Sequence, residues 1–79
     1  MTRLIAQVRN IGLRNLRLIL EPYPHYFDIV PNSTVEVKVE QEPPDNSILI
    51  EYGLDEITLY AGGVVSIWFN DTELAPKFR

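Results

Sequence analysis

The sequence predicts an all-β fold, a small antiparallel β-sandwich or partly open barrel of about six to seven short strands. The first observation behind this prediction is alternation. Residues 34–40, TVEVKVE, place three valines on one face and polar side chains on the other, as half-buried strands do. The second is that Pro, Gly and Asn stand between the apolar runs. The third is the spacing of those runs, roughly 8–12 residues, which is typical of antiparallel sheets.

The other predicted strands follow the same period of two along the chain. Each has an expected inner face, because alternate side chains of a strand point to the same side. The inner residues that we expect are Leu16, Leu18 and Leu20; Phe27 and Ile29; Ile48, Ile50 and Tyr52; Ile57, Leu59 and Ala61; and Val65, Ile67 and Phe69. The prolines and glycines between these runs predict a bend at 31–33, a loop at 43–46, and hairpins at 53–55 and at Gly62-Gly63.

The two ends of the chain are harder to assign. Residues 3–9 fit a strand, although Leu4, Ile5, Val8 and Ile11 also match the spacing of one helical face. The Asn-Ile-Gly stretch that follows favours a strand and a loop. At the other end, we expect a turn and a short tail over residues 71–79, with Pro76 ending any regular structure.

Length and composition predict a single domain spanning residues 1–79, with an ordinary hydrophobic fraction of 46%. With no cysteine and one histidine we expect neither a disulfide nor a metal site, and no cofactor. The sequence has no membrane-length apolar run, and residues 1–14 show no apolar h-region or small-residue cleavage site, so we expect no leader, a bacterial or phage-type cytoplasm and no membrane. Residues 1–17 hold four arginines and no acid. The pI of 4.8 nevertheless argues against nucleic acid and favours arginines paired with acids of the same domain.

The stretch Asn10-Ile11-Gly12, the alternating leucines at 16–20 and the Leu20-Glu21-Pro22-Tyr23 segment resemble a set of small bacterial proteins of unassigned function. In that set, an Asn-x-Gly turn and a Leu strand lead into Leu-Glu-Pro-aromatic, and the Pro31-Asn32 pair is similar to the turn that follows. The resemblance covers residues 8–40. Pro24-His25 stands here where the set has Gly. The resemblance implies a small β-sandwich and no particular activity.

The segment 21–27, EPYPHYF, is the candidate site for chemistry. Glu21, His25 and Asp28 could form an acid–base group, but Pro22 and Pro24 forbid the helix that would bring His25 and Asp28 to one face. We therefore interpret the segment as a corner between strands, with an exposed His25. Candidate ligand contacts are Tyr23, His25 and Tyr26. We expect no enzyme activity, since the chain also lacks a Gly-x-Ser-x-Gly elbow and a thiol.

Several outward positions of the predicted strands are apolar. They are Ile19, Leu49, Tyr60, Val64 and Trp68. If the last three long strands are neighbours in one sheet, these residues form a patch around Trp68 that would bind a protein partner or a second copy. The alternative is that the tail or the N-terminal segment covers them. Tyr52 and Phe69 are expected in the core rather than on a binding platform.

The sequence therefore predicts a small non-enzymatic binding or assembly module, self-associating through an apolar face near Trp68. The alternative is a small-ligand or carbohydrate-binding β-domain that uses Tyr23, Tyr26 and Trp68.

Overall fold

The computed structural model describes residues 2–41 and 47–79, which form strands and turns without a helix. The strands are β1 (Thr2–Arg9), β2 (Leu16–Glu21), β3 (His25–Ile29), β4 (Thr34–Gln41), β5 (Leu49–Gly53), β6 (Glu56–Tyr60), β7 (Val64–Phe69), β8 (Thr72–Glu73) and β9 (Lys77–Phe78). Sheet 1 has the order β1-β4-β7-β8, and sheet 2 has the order β5-β6-β2-β3-β9. The predicted all-β sandwich is confirmed, and the sheets do not close into a barrel.

One pairing departs from the predicted antiparallel arrangement, because β2 and β6 run parallel. The chain changes sheet after β1, β3, β4, β6 and β8. The chain returns to sheet 2 at β5, and a hairpin joins β5 to β6. β6 then lies beside β2, a strand from much earlier in the sequence, and runs parallel to it.

The core lies between the two sheets and confirms most of the predicted inner faces. Sheet 1 contributes the valines of β4 and Ile67, while sheet 2 contributes Leu18, Leu20, Phe27, Ile29, Leu59 and Ala61. Strand β4 is buried at every second position, as its alternation predicts. Burial of this shared apolar interior drives the association of the two sheets.

Strand β5 contradicts the predicted inner face. Tyr52 is 83% exposed and Ile50 is 58% exposed, whereas both were expected in the core. The reason is that β5 is the edge strand of sheet 2, and all five of its residues are exposed. Phe69, at the end of β7, is also exposed rather than in the core.

The prolines end strands as predicted. β2 ends at Glu21 and β3 begins at His25, so Pro22 and Pro24 lie in the connecting turn, where the Glu21–Pro22 peptide is cis. The bend after Val30 has Asn32 at a φ of 63°. Residues 53–55 form the predicted hairpin turn, with the positive φ at Asp55 (61°). The predicted loop at 43–46 lies outside the described residues.

The predicted hairpin at Gly62-Gly63 is wrong. These residues connect β6 of sheet 2 to β7 of sheet 1, and the described glycines include none with a positive φ. The requirement for glycine comes instead from close approach: a Cβ on Gly63 would lie 1.9 Å from the carbonyl oxygen of Glu40.

The tail also differs from the prediction. Regular structure continues after Pro76, because Lys77–Phe78 forms β9 along the edge of β3. Residues 72–73 likewise form β8 along β7, so the tail covers one side of the sandwich.

Candidate functional site

The patch predicted around Trp68 does not form. Leu49 and Tyr60 pair with each other in sheet 2, but Trp68 lies on β7 in sheet 1. Ile19 is only 8% exposed, and Val64 lies on sheet 1 opposite Glu40. The condition for the patch was that the last three long strands be neighbours, and the crossover after β6 separates them.

Trp68 is held against its own sheet. The Lys38 ammonium lies 4.1 Å from the centroid of the indole ring, and the indole nitrogen donates a hydrogen bond to Ser66 Oγ (2.9 Å). Both interactions use groups of the outer face of sheet 1, so the ring is already partnered within the chain.

The predicted ligand contacts divide between two faces. The Tyr23 and His25 rings stack with their centroids 5.9 Å apart, and His25 meets the edge of Phe78 at 4.8 Å. The Tyr23 hydroxyl donates to the carbonyl of Gly63 (3.1 Å). Tyr26 points to the opposite face of sheet 2, where the Arg17 guanidinium lies 4.2 Å from its ring centroid. His25 is half-buried in this aromatic cluster rather than exposed as predicted.

The structure does not bring Glu21, His25 and Asp28 together. His25 pairs with Leu20 and Asp28 with Arg17, so the two side chains lie on opposite faces of β3, as strand geometry requires. Glu21 accepts a hydrogen bond from Arg79. The three groups have separate environments, and none is placed to pass a proton to another.

Asp28 is instead the centre of a surface ion-pair group. Lys77 Nζ donates to Asp28 Oδ2 (2.9 Å), and Arg17 Nε lies 3.6 Å from Asp28 Oδ1. The hydrogen bond from Lys77 lowers the pKa of Asp28, against an opposing effect of burial, and the same bond raises the pKa of Lys77. These charges fasten β9 and β2 to β3.

Three of the four arginines in residues 1–17 pair with acids of the same chain. The pairs are Arg3–Glu40 (2.8 Å), Arg14–Asp55 (3.4 Å) and Arg17–Asp28 (3.6 Å). The basic segment is therefore largely neutralised within the domain, which agrees with the expectation drawn from the pI.

A shallow depression beside the Pro22 corner has a cavity volume of about 360 Å³. Two of its polar side chains are engaged elsewhere: Glu21 with Arg79, and Tyr60 with Glu51, since the hydrogen bond to the Glu51 carboxylate raises the pKa of the Tyr60 phenol. It is lined by Glu21, Pro22, Ser47, Leu49, Tyr60, Ala61 and Gly62. Without convergent polar groups the depression has no evident chemistry.

The two sides of the sandwich differ in how their edges are covered. On the closed side, defined by β8 and β9, the tail pairs with both sheets. Leu74 N donates to Ile67 O (2.8 Å), and Arg79 N donates to Pro24 O (2.8 Å). On the open side, defined by β1 and β5, both sheets end in an edge strand.

The open side exposes apolar groups between its two edges. A groove with a cavity volume of about 90 Å³ runs between the sheets there, lined by Leu4, Ala6, Gln7, Val8, Val37, Val39, Ile48, Ile50 and Leu59. Strand β5 is apolar on both faces, since Ile50 and its neighbour Leu49 point to opposite sides and are 58% and 59% exposed. The signal was present in the sequence: Ile48-Leu49-Ile50 breaks the alternation with three consecutive apolar residues.

A second apolar surface lies at one end of the molecule. The loop after β1 carries Ile11 and Leu13, and the β5–β6 turn carries Leu54, all highly exposed. The Arg14–Asp55 pair holds this loop and this turn together. We call this surface of Ile11, Leu13 and Leu54 the tip. It consists of loop residues, whereas the open side combines strand edges with a groove.

A scan against protein-family models and searches of curated proteins and of solved structures find no match to this chain. Within residues 2–41 and 47–79, no three His, Asp or Glu side chains are grouped to hold a metal ion. The same part of the chain has no helix long and apolar enough to cross a membrane.

Proposed function

We propose that this chain is a non-enzymatic binding or assembly module that contacts another protein chain through its open side. The observation that supports this most is β5, an edge strand whose five residues are all exposed and which is apolar on both faces. A free strand edge presents unpaired N–H and C=O groups, and another chain can satisfy them by adding a strand.

The apolar groove beside β5 supports the same function. Covering Leu4, Ile48 and Ile50 removes apolar surface from water, which adds a driving force to the directional hydrogen bonds of strand pairing. The closed side offers much less, because β8 and β9 already occupy part of each edge there and ion pairs hold the tail in place.

The alternative of small-ligand or carbohydrate binding by Tyr23, Tyr26 and Trp68 gains no support from their positions. Tyr23 packs against the core, Tyr26 lies on the outer face of sheet 2, and Trp68 lies on the outer face of sheet 1. One small ligand cannot contact outer faces on opposite sides of a sandwich.

Site-specific photocrosslinking tests the proposed function. We expect a photoreactive residue at Ile50 to give protein adducts in cells of the source organism, and one at Thr72 of the closed side to give far fewer. Both positions are exposed strand residues, so their reactivity differs only if the open side is occupied. Equal yields at the two positions, or no adduct at Ile50, would contradict the proposal.

A further inference from the structure

We infer that the occupant of the open side is the open side of a second copy of this chain, related by a twofold axis perpendicular to the sheets. This inference rests on the proposed function and names the partner. In the dimer, β5 pairs antiparallel with β5 of the second copy, β1 pairs antiparallel with its own counterpart, and the two grooves close into one core.

The partner has to match two edges at once. In the part of the chain that the structure describes, the open side presents one free strand edge from each sheet, with the apolar groove between them. A single extended peptide can pair with one edge and leaves the other edge unpaired. A second copy carries two edges at the same separation, because packed sheets lie about 10 Å apart in both molecules.

The two edge strands of the open side run in the same direction, and a twofold axis perpendicular to the sheets places each of them antiparallel to its own counterpart. After β1 ends, the Asn10 side chain donates to the carbonyl of Ile29 (2.8 Å), which pairs with Leu16 at the start of β2. The end of β1 and the start of β2 therefore lie at the same end of the molecule. β6 runs parallel to β2 and β5 antiparallel to β6, so β5 runs in the same direction as β1.

A single axis can serve both edge strands, because Ile50 of β5 and Ile5 of β1 lie at about the same level. Ile50 pairs with Leu59. Leu59 lines the groove together with Val37 and Val39, and these two valines pair with Ala6 and Leu4 of β1. Ile5 lies between Ala6 and Leu4, so the level of Ile50 in β5 corresponds to that of Ile5 in β1.

The register centred on Ile50 avoids like charges. It places Ile48 opposite Tyr52 of the second copy, an aliphatic–aromatic pair that favours strand association. It places the carboxylate of Glu51 opposite Leu49 of the second copy rather than opposite another carboxylate.

The register centred on Ile5 does the same for β1. It places Arg3 opposite Gln7 of the second copy rather than opposite a second arginine, and Glu40 of the same chain already pairs with Arg3 at 2.8 Å. A register one residue further, centred on Ala6, would oppose Arg3 to Arg9 of the second copy and is disfavoured by charge repulsion.

The size of the open side predicts a weak but specific dimer. β1 has eight residues, so it is about 26 Å long, and two packed sheets with their side chains are about 20 Å thick. A contact of this extent buries roughly 500 Å² per copy, or about 1,000 Å² in total, which is the lower end of the range for specific interfaces. We therefore expect dissociation in the micromolar range.

The first test is sedimentation equilibrium over protein concentrations from about 1 µM to about 1 mM, a range chosen around the expected dissociation constant. We expect the mass to rise from 9.1 kDa toward twice that value. Ile50→Lys places an ammonium group of each copy opposite that of the other across the axis. We expect it to raise the dissociation constant of the dimer at least tenfold. Leu13→Lys, at the exposed tip, is the control and is expected to leave the affinity unchanged, with circular dichroism verifying that both variants fold.

Disulfide formation gives a second test, since the chain has no cysteine of its own. In the Ile50→Cys variant, the substituted residue lies opposite the same residue of the second copy. Directly opposed strand residues have Cα atoms about 4.5–5.5 Å apart, which is within disulfide range. Under mild oxidation we expect Ile50→Cys to form a covalent dimer at least tenfold faster than Tyr52→Cys, which faces Ile48 of the second copy.

The outcomes separate the inference from the proposed function. A wild-type chain that stays monomeric to 1 mM, equal oxidation rates for the two cysteine variants, or a dimer that Leu13→Lys disrupts would each overturn the twofold dimer. An Ile50 photoadduct with the mass of a different protein would overturn the dimer and leave the proposed function standing. The absence of any Ile50 adduct together with a monomeric chain would overturn both.

Discussion

At the scale of single residues, polar side chains in this chain mainly join segments that are far apart in sequence. Asn10 is the best example, because it is buried and its side chain makes three hydrogen bonds. Its amide donates to the carbonyls of Arg14 and Ile29 (2.8 Å each), and its carbonyl oxygen accepts from Gly12 N (2.9 Å). The sequence identifies Asn10 as a turn residue, but its hydrogen bond to β3 depends on the tertiary fold.

Asp28 gives a pH-dependent prediction at the same scale. Its pKa is lowered mainly by the Lys77 hydrogen bond, so its contribution to stability is present above the unfolded-state value, near 3.8, and is lost as the pH falls through the lower folded-state value. The pKa of Lys77 is raised, so its contribution is present below its unfolded-state value and lost as the pH rises through the folded one.

We expect Asp28→Asn to lower the free energy of unfolding by about 1 kcal/mol at pH 7, a modest value because both cations are largely exposed. The difference from wild type should shrink toward zero as the pH is lowered from 7 to below the folded-state pKa of Asp28, where the carboxyl is protonated in both states. Urea denaturation at the two pH values measures it, with Asp71→Asn in an exposed turn as the control. A difference that stays constant with pH would show that the ion pair is not its cause.

At the scale of elements, strands β4 and β5 show how position decides the exposure of similar side chains. β4 lies between β1 and β7, and its valines face the other sheet. β5 has comparable apolar content but is the edge strand of sheet 2. The opposing sheet 1 also ends there, at its own edge strand β1. Alternation correctly predicted that the Ile50 side chain points toward the inner face of sheet 2. The opposing sheet does not extend far enough to bury it.

The connection between β6 and β7 gives the prediction for this scale. Gly63→Ala places a Cβ 1.9 Å from the carbonyl oxygen of Glu40, a backbone atom of the strand that pairs with β7. We expect a loss of at least about 2 kcal/mol in the free energy of unfolding, because the contact is relieved only by shifting the backbone.

Gly53→Ala is the matched control for this substitution. Its added Cβ has no neighbour within 4 Å, and the φ of Gly53 is not positive. We expect a neutral effect or a gain of up to about 1 kcal/mol, since alanine restricts the unfolded chain. Chemical denaturation measures both variants, and equal effects at the two glycines would refute the close-approach explanation.

At the scale of the whole molecule, the difference between the two sides is the main feature. The tail pairs with β7 and β3 on the closed side, while within residues 2–41 and 47–79 β1 and β5 are the outermost strands of the two sheets at the open side. A domain of this size has little stability to spare, roughly 3–5 kcal/mol from its core alone. Covering the open side therefore adds to stability as well as to binding.

A concentration-dependent melting temperature follows from this coupling. If the native chain dimerises through the open side, raising the protein concentration stabilises the folded state by mass action. We expect the wild-type Tm to rise by several degrees between 10 µM and 1 mM, at about 4–8 °C per kcal/mol for a domain this small. Differential scanning calorimetry measures it. The Tm of Ile50→Lys should stay nearly constant, and a constant wild-type Tm would argue against the dimer.

The sequence by itself determined the all-β class, the inner faces of β2, β3, β4 and β6, and the strand breaks at Pro22, Pro24 and Asn32. These features are local, because period-two alternation and backbone restriction act within a few residues of the chain. The same local rules excluded a helix through Pro22 and Pro24, and His25 and Asp28 accordingly lie on opposite faces of β3.

Only the tertiary structure decided which strands are neighbours, and with that the candidate site. The crossover at Gly62-Gly63 sends Trp68 to sheet 1, away from Leu49 and Tyr60, and edge position exposes Ile50 and Tyr52. Strand order depends on contacts between segments far apart in sequence, and alternation fixes the direction of a side chain without determining what lies opposite it. The open side is therefore a property of the assembled sandwich.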